Sequence, residues 1–256
     1  MKFIEDVVIT KNENIVEDIY VMEFISKNIA KTSYPGQFLQ VKVNEFNEPI
    51  LRRPISINEI KKEEDKVVIY YKVIGKGTKA MANLKVKDQM NVLGPIGTGF
   101  DTDYKNKNIA IVGGGIGIAP LLELAKALKD NNIYTYLGYN DNPYLNREID
   151  KYSKKNIIST TTGREGYKGF VTDLFEKDIE KIDFDIIFTC GPKPMIKKVM
   201  DLAKKHNVKC QVSLEERMAC GIGACLGCSI EIADGSMKKV CVDGPVFWSN
   251  EVIIDD

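Results

Sequence analysis

The chain has 256 residues, with 36 basic and 36 acidic side chains that cancel to a formal net charge of zero; 44% of residues are hydrophobic and 28% charged. This composition supports buried cores and excludes wholesale disorder, while the balanced charge gives no electrostatic case for wrapping nucleic acid or coating an anionic membrane. The length suits two compact domains with a minor extension.

The opening MKFIEDVVIT carries acidic residues where a signal peptide has its apolar run. No segment approaches the ~18 consecutive apolar residues of a spanning helix, so a cytoplasmic protein is expected. The next stretches are short and β-rich: VVIT, IYVMEFI, FLQVKV, ISINEI, KVVIYYKV and QMNVLGPI, divided by Asn, Gly, Pro and charged residues. Runs of this kind predict a small antiparallel barrel or sandwich over residues 1–101. A helical turn or two is predicted at TKAMANL, where Ala80, Met81, Ala82 and Leu84 do not alternate as a strand would.

The period changes after Asp101. NIAIVGG reads as a buried strand entering glycines, and PLLELAKALKD as a helix with Pro120 in its first turn. IYTYLGY, NIISTTT and DIIFTCG are further strands; VTDLF and PKPMIKKVMDLAKKH are helices. Alternating strands and helices predict a parallel-sheet, nucleotide-binding α/β domain over residues 102–213. From Ser213 onward the helical period is lost, and residues 214–256 form a small cysteine-bearing third domain.

That tail holds four of the six cysteines. Cys220, Cys225, Cys228 and Cys241 give CxxxxCxxC followed by a distant fourth thiol, the spacing of a plant-type [2Fe-2S] site. Zinc is the competing reading, but structural zinc sites generally pair two short hooks, whereas here one loop supplies three ligands. Gly221, Gly223, Ala224 and Gly227 let the loop curl and bring amides close to sulfur. SIEIADGSMKKV reads as a hairpin turning at Asp234 and Gly235 that returns Cys241 to the loop. Four free cysteines in a mobile tail is the bland alternative.

A cluster of this type moves one electron at a time while nicotinamide gives up a hydride, so a flavin between them is expected. In LRRPISI, Arg53 is suited to a pyrophosphate and Ser56 to a flavin ring. In YYKVIGKGT, amides at Gly77 and Thr78 open a helix and can hold phosphate, though an ordinary turn and cap gives the same letters. GGGIGIAP is not a GxGxxG fingerprint, yet it joins a strand to a helix. Cys190 and Gly191 end a strand where open α/β sheets bind ligands; a lone Cys there is more often packing.

RPIS, GKGT, GGGIGIAP and CGPKPM occur in the order found in the ferredoxin-NADP reductase superfamily, and ACGIGACLGC with KKVCVDGPVF resembles the electron-transfer subunits of type B dihydroorotate dehydrogenases. The resemblance spans the chain. It implies a flavin barrel, a nicotinamide domain and a C-terminal [2Fe-2S] domain facing a separate FMN-bearing catalytic subunit, in a heterotetramer of two chains each. Position by position it implies that Arg53, Pro54, Ile55, Ser56, Tyr70, Tyr71, Lys72, Gly77 and Thr78 hold FAD. Ile55 stands where many superfamily members have Tyr. Gly114, Gly115, Gly117, Cys190 and Gly191 would line the nicotinamide site, with Cys190 at the chemistry, and the four cysteines would ligate iron. Asp141 suits a ribose 2′-hydroxyl and so NAD, while Arg147 and Arg164 could favour NADP. His206 reads as solvated, Cys210 as packing, and Phe247 and Trp248 as either a protein contact or core.

Overall fold

The early β-rich runs close on themselves. In the computed structural model, which describes residues 1–43 and 50–254, β1 (Phe3–Val16), β2 (Ile19–Ile25), β3 (Phe38–Lys42), β4 (Arg53–Lys61), β5 (Lys66–Lys72) and β6 (Gln89–Ile96) form a closed antiparallel barrel in the order β1-β2-β5-β4-β3-β6. Inward residues including Ile9, Phe24, Leu39, Ile57 and Ile69 fill it and are buried. Helix α1 (Lys27–Thr32) has too few residues to show a period in sequence; Ser26 Oγ starts it by accepting from the Ile29 amide at 3.2 Å. The predicted helical turn is α2 (Lys76–Asn83). Its C-terminal end is tied to β1 through Asn12 Nδ2, which donates to the carbonyls of Met81 (2.9 Å) and Leu84 (2.7 Å).

One charged side chain is built into the barrel wall. Glu23 is 11% exposed at its side chain, with Lys61 Nζ at 2.7 Å and Lys66 Nζ at 3.2 Å, and Thr10 Oγ1 donates to it at 2.7 Å. Burial alone would raise its pKa, but the hydrogen bonds from Lys61, Thr10 and Lys66 override that and hold it at about 2. A depressed carboxylate contributes stability above its unfolded pKa and loses it as pH falls through the folded value. Glu23→Gln is therefore expected to cost about 2 kcal/mol at pH 7. Urea midpoints should show that gap narrowing as pH falls from the ordinary 4.5 toward about 2.

The second sheet comprises β7 (Asn108–Gly114), β8 (Asn132–Tyr139), β9 (Lys155–Thr160), β10 (Tyr167–Lys168), β11 (Ile186–Cys190) and β12 (Lys209–Ser213), all parallel, with α3 (Leu121–Ala127), α4 (Asn146–Asp150), α5 (Val171–Ile179) and α6 (Lys193–Lys205) between them. The tail supplies a hairpin, β13 (Ser229–Glu231) and β14 (Met237–Lys239), and a last strand, β15 (Val246–Trp248). β15 joins the sheet antiparallel to β12, giving the order β10-β9-β8-β7-β11-β12-β15. Phe247 is buried opposite Val212 and belongs to the core, while half-buried Trp248 pairs with Gln211 in the sheet. From β7 the chain winds outward to β10, then returns to β11 on the other side of β7. That reversal is a topological switch point, where open α/β sheets hold ligands at the strands' carboxyl ends.

The chain divides into two compact units. One contains Met1–Gly99, Glu215–Ile230 and Lys238–Pro245; the other contains Phe100–Leu214, Glu231–Met237 and the segment from Val246 onward. The cysteine-bearing parts of the tail thus share a unit with the barrel. Contacts within that unit show how: the Thr98 amide donates to the Gly244 carbonyl at 2.6 Å, and Thr98 Oγ1 to the Asp243 carbonyl at 3.1 Å.

Candidate functional site

The barrel wall opens between β4 and β5. Their register runs from Ile57↔Ile69 to Lys61↔Lys66, at the closed end of the hairpin. Farther out, Arg53–Ser56 pair with β3 and Tyr70–Lys72 pair with β2. The two stretches predicted for FAD therefore flank the stretch where the described β4–β5 pairing has ended.

Side chains around the gap differ in what they offer. Arg53 reaches from β4 over the N-terminus of α2, so that a Cβ on Gly77 would run into its Nε and Cζ; its Nη1 meets the Leu51 carbonyl. Thr78 Oγ1 accepts from the amides of Ile74 (2.9 Å) and Gly75 (3.2 Å), so its hydroxyl caps the helix and its contribution to a ligand is its backbone amide. Pro54 is exposed, Ser56 is half-buried, and Ile55 packs against the core. Tyr71 points inward instead. Its ring is fully buried, stacks on Tyr20 at 5.6 Å, and its hydroxyl donates to Asn12 Oδ1 at 2.8 Å. Only the Tyr71 backbone is left for a flavin, because strand alternation places Tyr70 and Lys72 on the other face. Lys72 lies 3.5 Å from Asp18. An arginine over a glycine at a helix start, beside the stretch where the β4–β5 pairing has ended, fits a dinucleotide pyrophosphate.

In the cysteine loop, Cys220 Sγ accepts from the amides of Ile222 (3.5 Å) and Cys225 (3.4 Å). The Ile222 amide, then that of Cys225, lower its pKa to about 6, favouring the thiolate that metals bind. Cys241 is fully buried, and burial, followed by the neighbouring Cys228 thiol, pushes it up to about 11. Cys225 supports Cys220, and both Cys228 and Cys220 act on Cys241, so Cys241 from the later segment faces thiols of the loop. Among the described residues, no three metal-type side chains converge on one point. Three ligands from one loop and a fourth from a separate segment are the donor set of a plant-type [2Fe-2S] centre.

The loop is seated by residues the sequence did not advertise. Gly221 has φ +67°, and a Cβ there would meet Gln40 Cγ at 2.7 Å. Gln40 Nε2 donates to Met218 Sδ at 3.5 Å, while its Oε1 is buried with no partner. Gln40 lies on β3 opposite Pro54 of β4. The loop therefore crosses β3 one strand, ~4.8 Å, from the flavin-type motif. A buried polar residue inside the apolar run FLQVKV was the available signal. Lys239 was a second omission: its Nζ donates to the Gly223 carbonyl at 2.6 Å.

In the second unit the carboxyl ends of β7 and β11 press together. Cys190 pairs with Gly113 across the two strands. A Cβ on Gly117 would meet Gly191 Cα at 2.5 Å, Gly191 N at 2.6 Å and the Cys190 carbonyl carbon at 2.7 Å. Gly191 has φ +155°, and a Cβ there would meet Gly114 N and O at 2.9 Å. Gly115, at φ +53°, faces open space, and its carbonyl accepts from Tyr144 Oη at 2.7 Å. Cys190 is 2% exposed. The side chains missing at these glycines let the two backbones approach each other, with Met195 and Pro192 packed beside Gly114 and Gly191. Asp141, just beyond β8, has a buried Oδ1 with no partner, an acceptor that a ribose hydroxyl would satisfy. Arg147 and Arg164 are exposed. His206 caps α6 half-buried with an unpartnered Nε2, and so is not simply solvated. Burial raises Cys210 to about 12, the behaviour of an inert packing thiol.

These features define a flavin-dependent nicotinamide oxidoreductase carrying an iron-sulfur centre. Consistent with that class, residues 6–100 match the oxidoreductase FAD-binding domain, 111–201 the oxidoreductase NAD-binding domain, and 215–253 the iron-sulfur cluster binding domain of dihydroorotate dehydrogenase B. The chain belongs to the family of dihydroorotate dehydrogenase B (NAD(+)) electron transfer subunits. It is 42% identical to the member from Caldanaerobacter subterraneus subsp. tengcongensis over 96% of both chains. The Fusobacterium nucleatum subsp. nucleatum member is 39% identical over 98% of this chain and 99% of its own. Among solved structures, a chain from work on flavin-based electron bifurcation by the NADH-dependent reduced ferredoxin-NADP oxidoreductase superposes with a TM-score of 0.88 and 33% identity, covering 97% of this chain and 90% of that one.

Proposed function

We propose that this chain is the electron-transfer subunit of an NAD-dependent dihydroorotate dehydrogenase, linking an FMN-bearing catalytic subunit to NAD in pyrimidine biosynthesis. The observation that carries the proposal is the seating of the four-cysteine loop on β3, beside the strand that bears Arg53 and Ser56. One compact unit then holds both the one-electron and the flavin sites. The assembly we propose is a cytoplasmic heterotetramer of two chains of each kind.

When bound, FAD supplies the exchange between a hydride and single electrons. This chain's residues bind and orient. Arg53 and the first-turn amides of Gly77 and Thr78 hold the pyrophosphate; Pro54, Ile55, Ser56, Tyr70, Lys72 and the Tyr71 backbone border the ring and its tail. Gly114, Gly115, Gly117, Cys190 and Gly191 form the nicotinamide platform, and Asp141 accepts from the ribose. Cys220, Cys225, Cys228 and Cys241 hold a [2Fe-2S] cluster. We place the functional divisions at 1–101, 102–213 and 214–256. Dihydroorotate chemistry stays with the partner.

A reductase serving ferredoxin is the second reading, favoured by the likeness to the bifurcating oxidoreductase. Purification of the native complex separates the two. Dihydroorotate-dependent NAD reduction is expected, and it should disappear when this chain is removed. Activity that survives removal, or a complex that reduces ferredoxin and ignores dihydroorotate, refutes the first reading.

A further inference from the structure

We propose that Lys239 is a positioning residue for the cluster: a cationic tie that closes the cysteine loop and raises the reduction potential of the centre it holds. The inference rests on the reading of Cys220, Cys225, Cys228 and Cys241 as cluster ligands.

Two separate pieces of chain supply those ligands, the loop from Cys220 to Cys228 and the turn around Cys241. Lys239 ends β14 and leads into that turn. Its amide donates to Asp243 Oδ2 at 2.7 Å, and its carbonyl accepts from the amides of Val242 (3.0 Å) and Asp243 (2.8 Å), so three hydrogen bonds tie the turn that carries Cys241. The Lys239 side chain crosses to the loop and donates to the Gly223 carbonyl at 2.6 Å, between the first two cysteines. Gly223 itself, at φ +85°, lies against the turn, with a Cβ position only 2.6 Å from Val242 Cγ2. The ammonium therefore bridges both ligand-bearing segments where they touch.

At this contact the ammonium meets a neutral carbonyl, whereas Glu23 meets two ammonium groups. Asp243 is engaged through its carboxylate with the Lys239 amide, on the backbone side of the turn. A four-thiolate two-iron centre is anionic and gains one more negative charge on reduction. A nearby cation stabilises the reduced form more than the oxidised one. Lys239 thus favours acceptance of the electron as well as closure of the loop.

The test uses the whole complex with Lys239→Met and Lys239→Arg. Iron content and the EPR signal of the reduced protein report loading, and potentiometry followed by EPR reports the midpoint. Lys239→Met is expected to shift the reduced-to-oxidised ratio at fixed solution potential by about tenfold toward oxidised, a fall of ~59 mV for one electron. Lys239→Arg should remain near wild type. Loss of iron in Lys239→Met with retention in Lys239→Arg also supports the tie. Full loading and an unchanged midpoint in Lys239→Met overturn it, as does equal loss of iron in both variants, which would mark a purely steric site. Wild-type complex without iron would instead sink the cluster reading itself.

Discussion

Cys225→Ser is expected to cut electron delivery from dihydroorotate to NAD by on the order of 100-fold or more, beyond the 10–100-fold usual for losing a mere outer partner of a metal ligand. Serine replaces a soft thiolate with a harder oxygen at the residue whose amide and thiol also support Cys220. The thiol's own hydrogen bond to Cys220 changes with it, while the amide's remains. NADH oxidation by a two-electron dye should stay near wild type, because Arg53, Gly77 and the β4–β5 gap contain none of these atoms and the nicotinamide platform lies in the other compact unit. Iron analysis, EPR and the paired rates check this. Parallel loss of both activities would mean that the cluster supports the flavin site and does not simply extend it.

The sequence shows where each kind of chemistry begins, because the relevant signals are local. Six β-rich runs close as a barrel, strand-helix alternation builds the parallel sheet, and four cysteines announce themselves by spacing alone. What stays hidden is made by distant pairs. Gln40 meets Met218 across 178 positions, so the polar residue in FLQVKV marks one half of the loop's seat on β3 while its partner stays hidden. The splay between β4 and β5 depends on where two ladders stop, and no residue type encodes that end point. Strand period separates Tyr71 from Tyr70 and Lys72, but which face is inward follows from barrel closure and the Asn12 bond. β15 is three residues long, and it becomes a strand only because the β12 edge is there to receive it.

Gly117→Ala is expected to raise the KM for NADH by about 10- to 100-fold, the equivalent of a 1–3 kcal/mol packing conflict. The conflict is with backbone. Gly191 Cα and N lie 2.5 and 2.6 Å from the new Cβ, and the Cys190 carbonyl carbon 2.7 Å, so no side chain can rotate to relieve it. Instead the loop after β7 must draw away from the end of β11, widening the place where Gly114, Gly117 and Gly191 now converge. Flavin content and iron content should be unchanged, since the displaced backbone belongs to the nicotinamide-binding unit. Gly115→Ala supplies the comparison. Its Cβ would meet nothing within 4 Å, and its φ of +53° imposes a left-handed backbone on alanine, a cost of about 1–2 kcal/mol that falls on folding. Dye-coupled NADH kinetics alongside thermal unfolding distinguish the two: Gly115→Ala should lose stability with a modest change in KM, and Gly117→Ala should lose affinity most. Equal KM in both variants would show that the close approach of β7 and β11 does not shape the nicotinamide site.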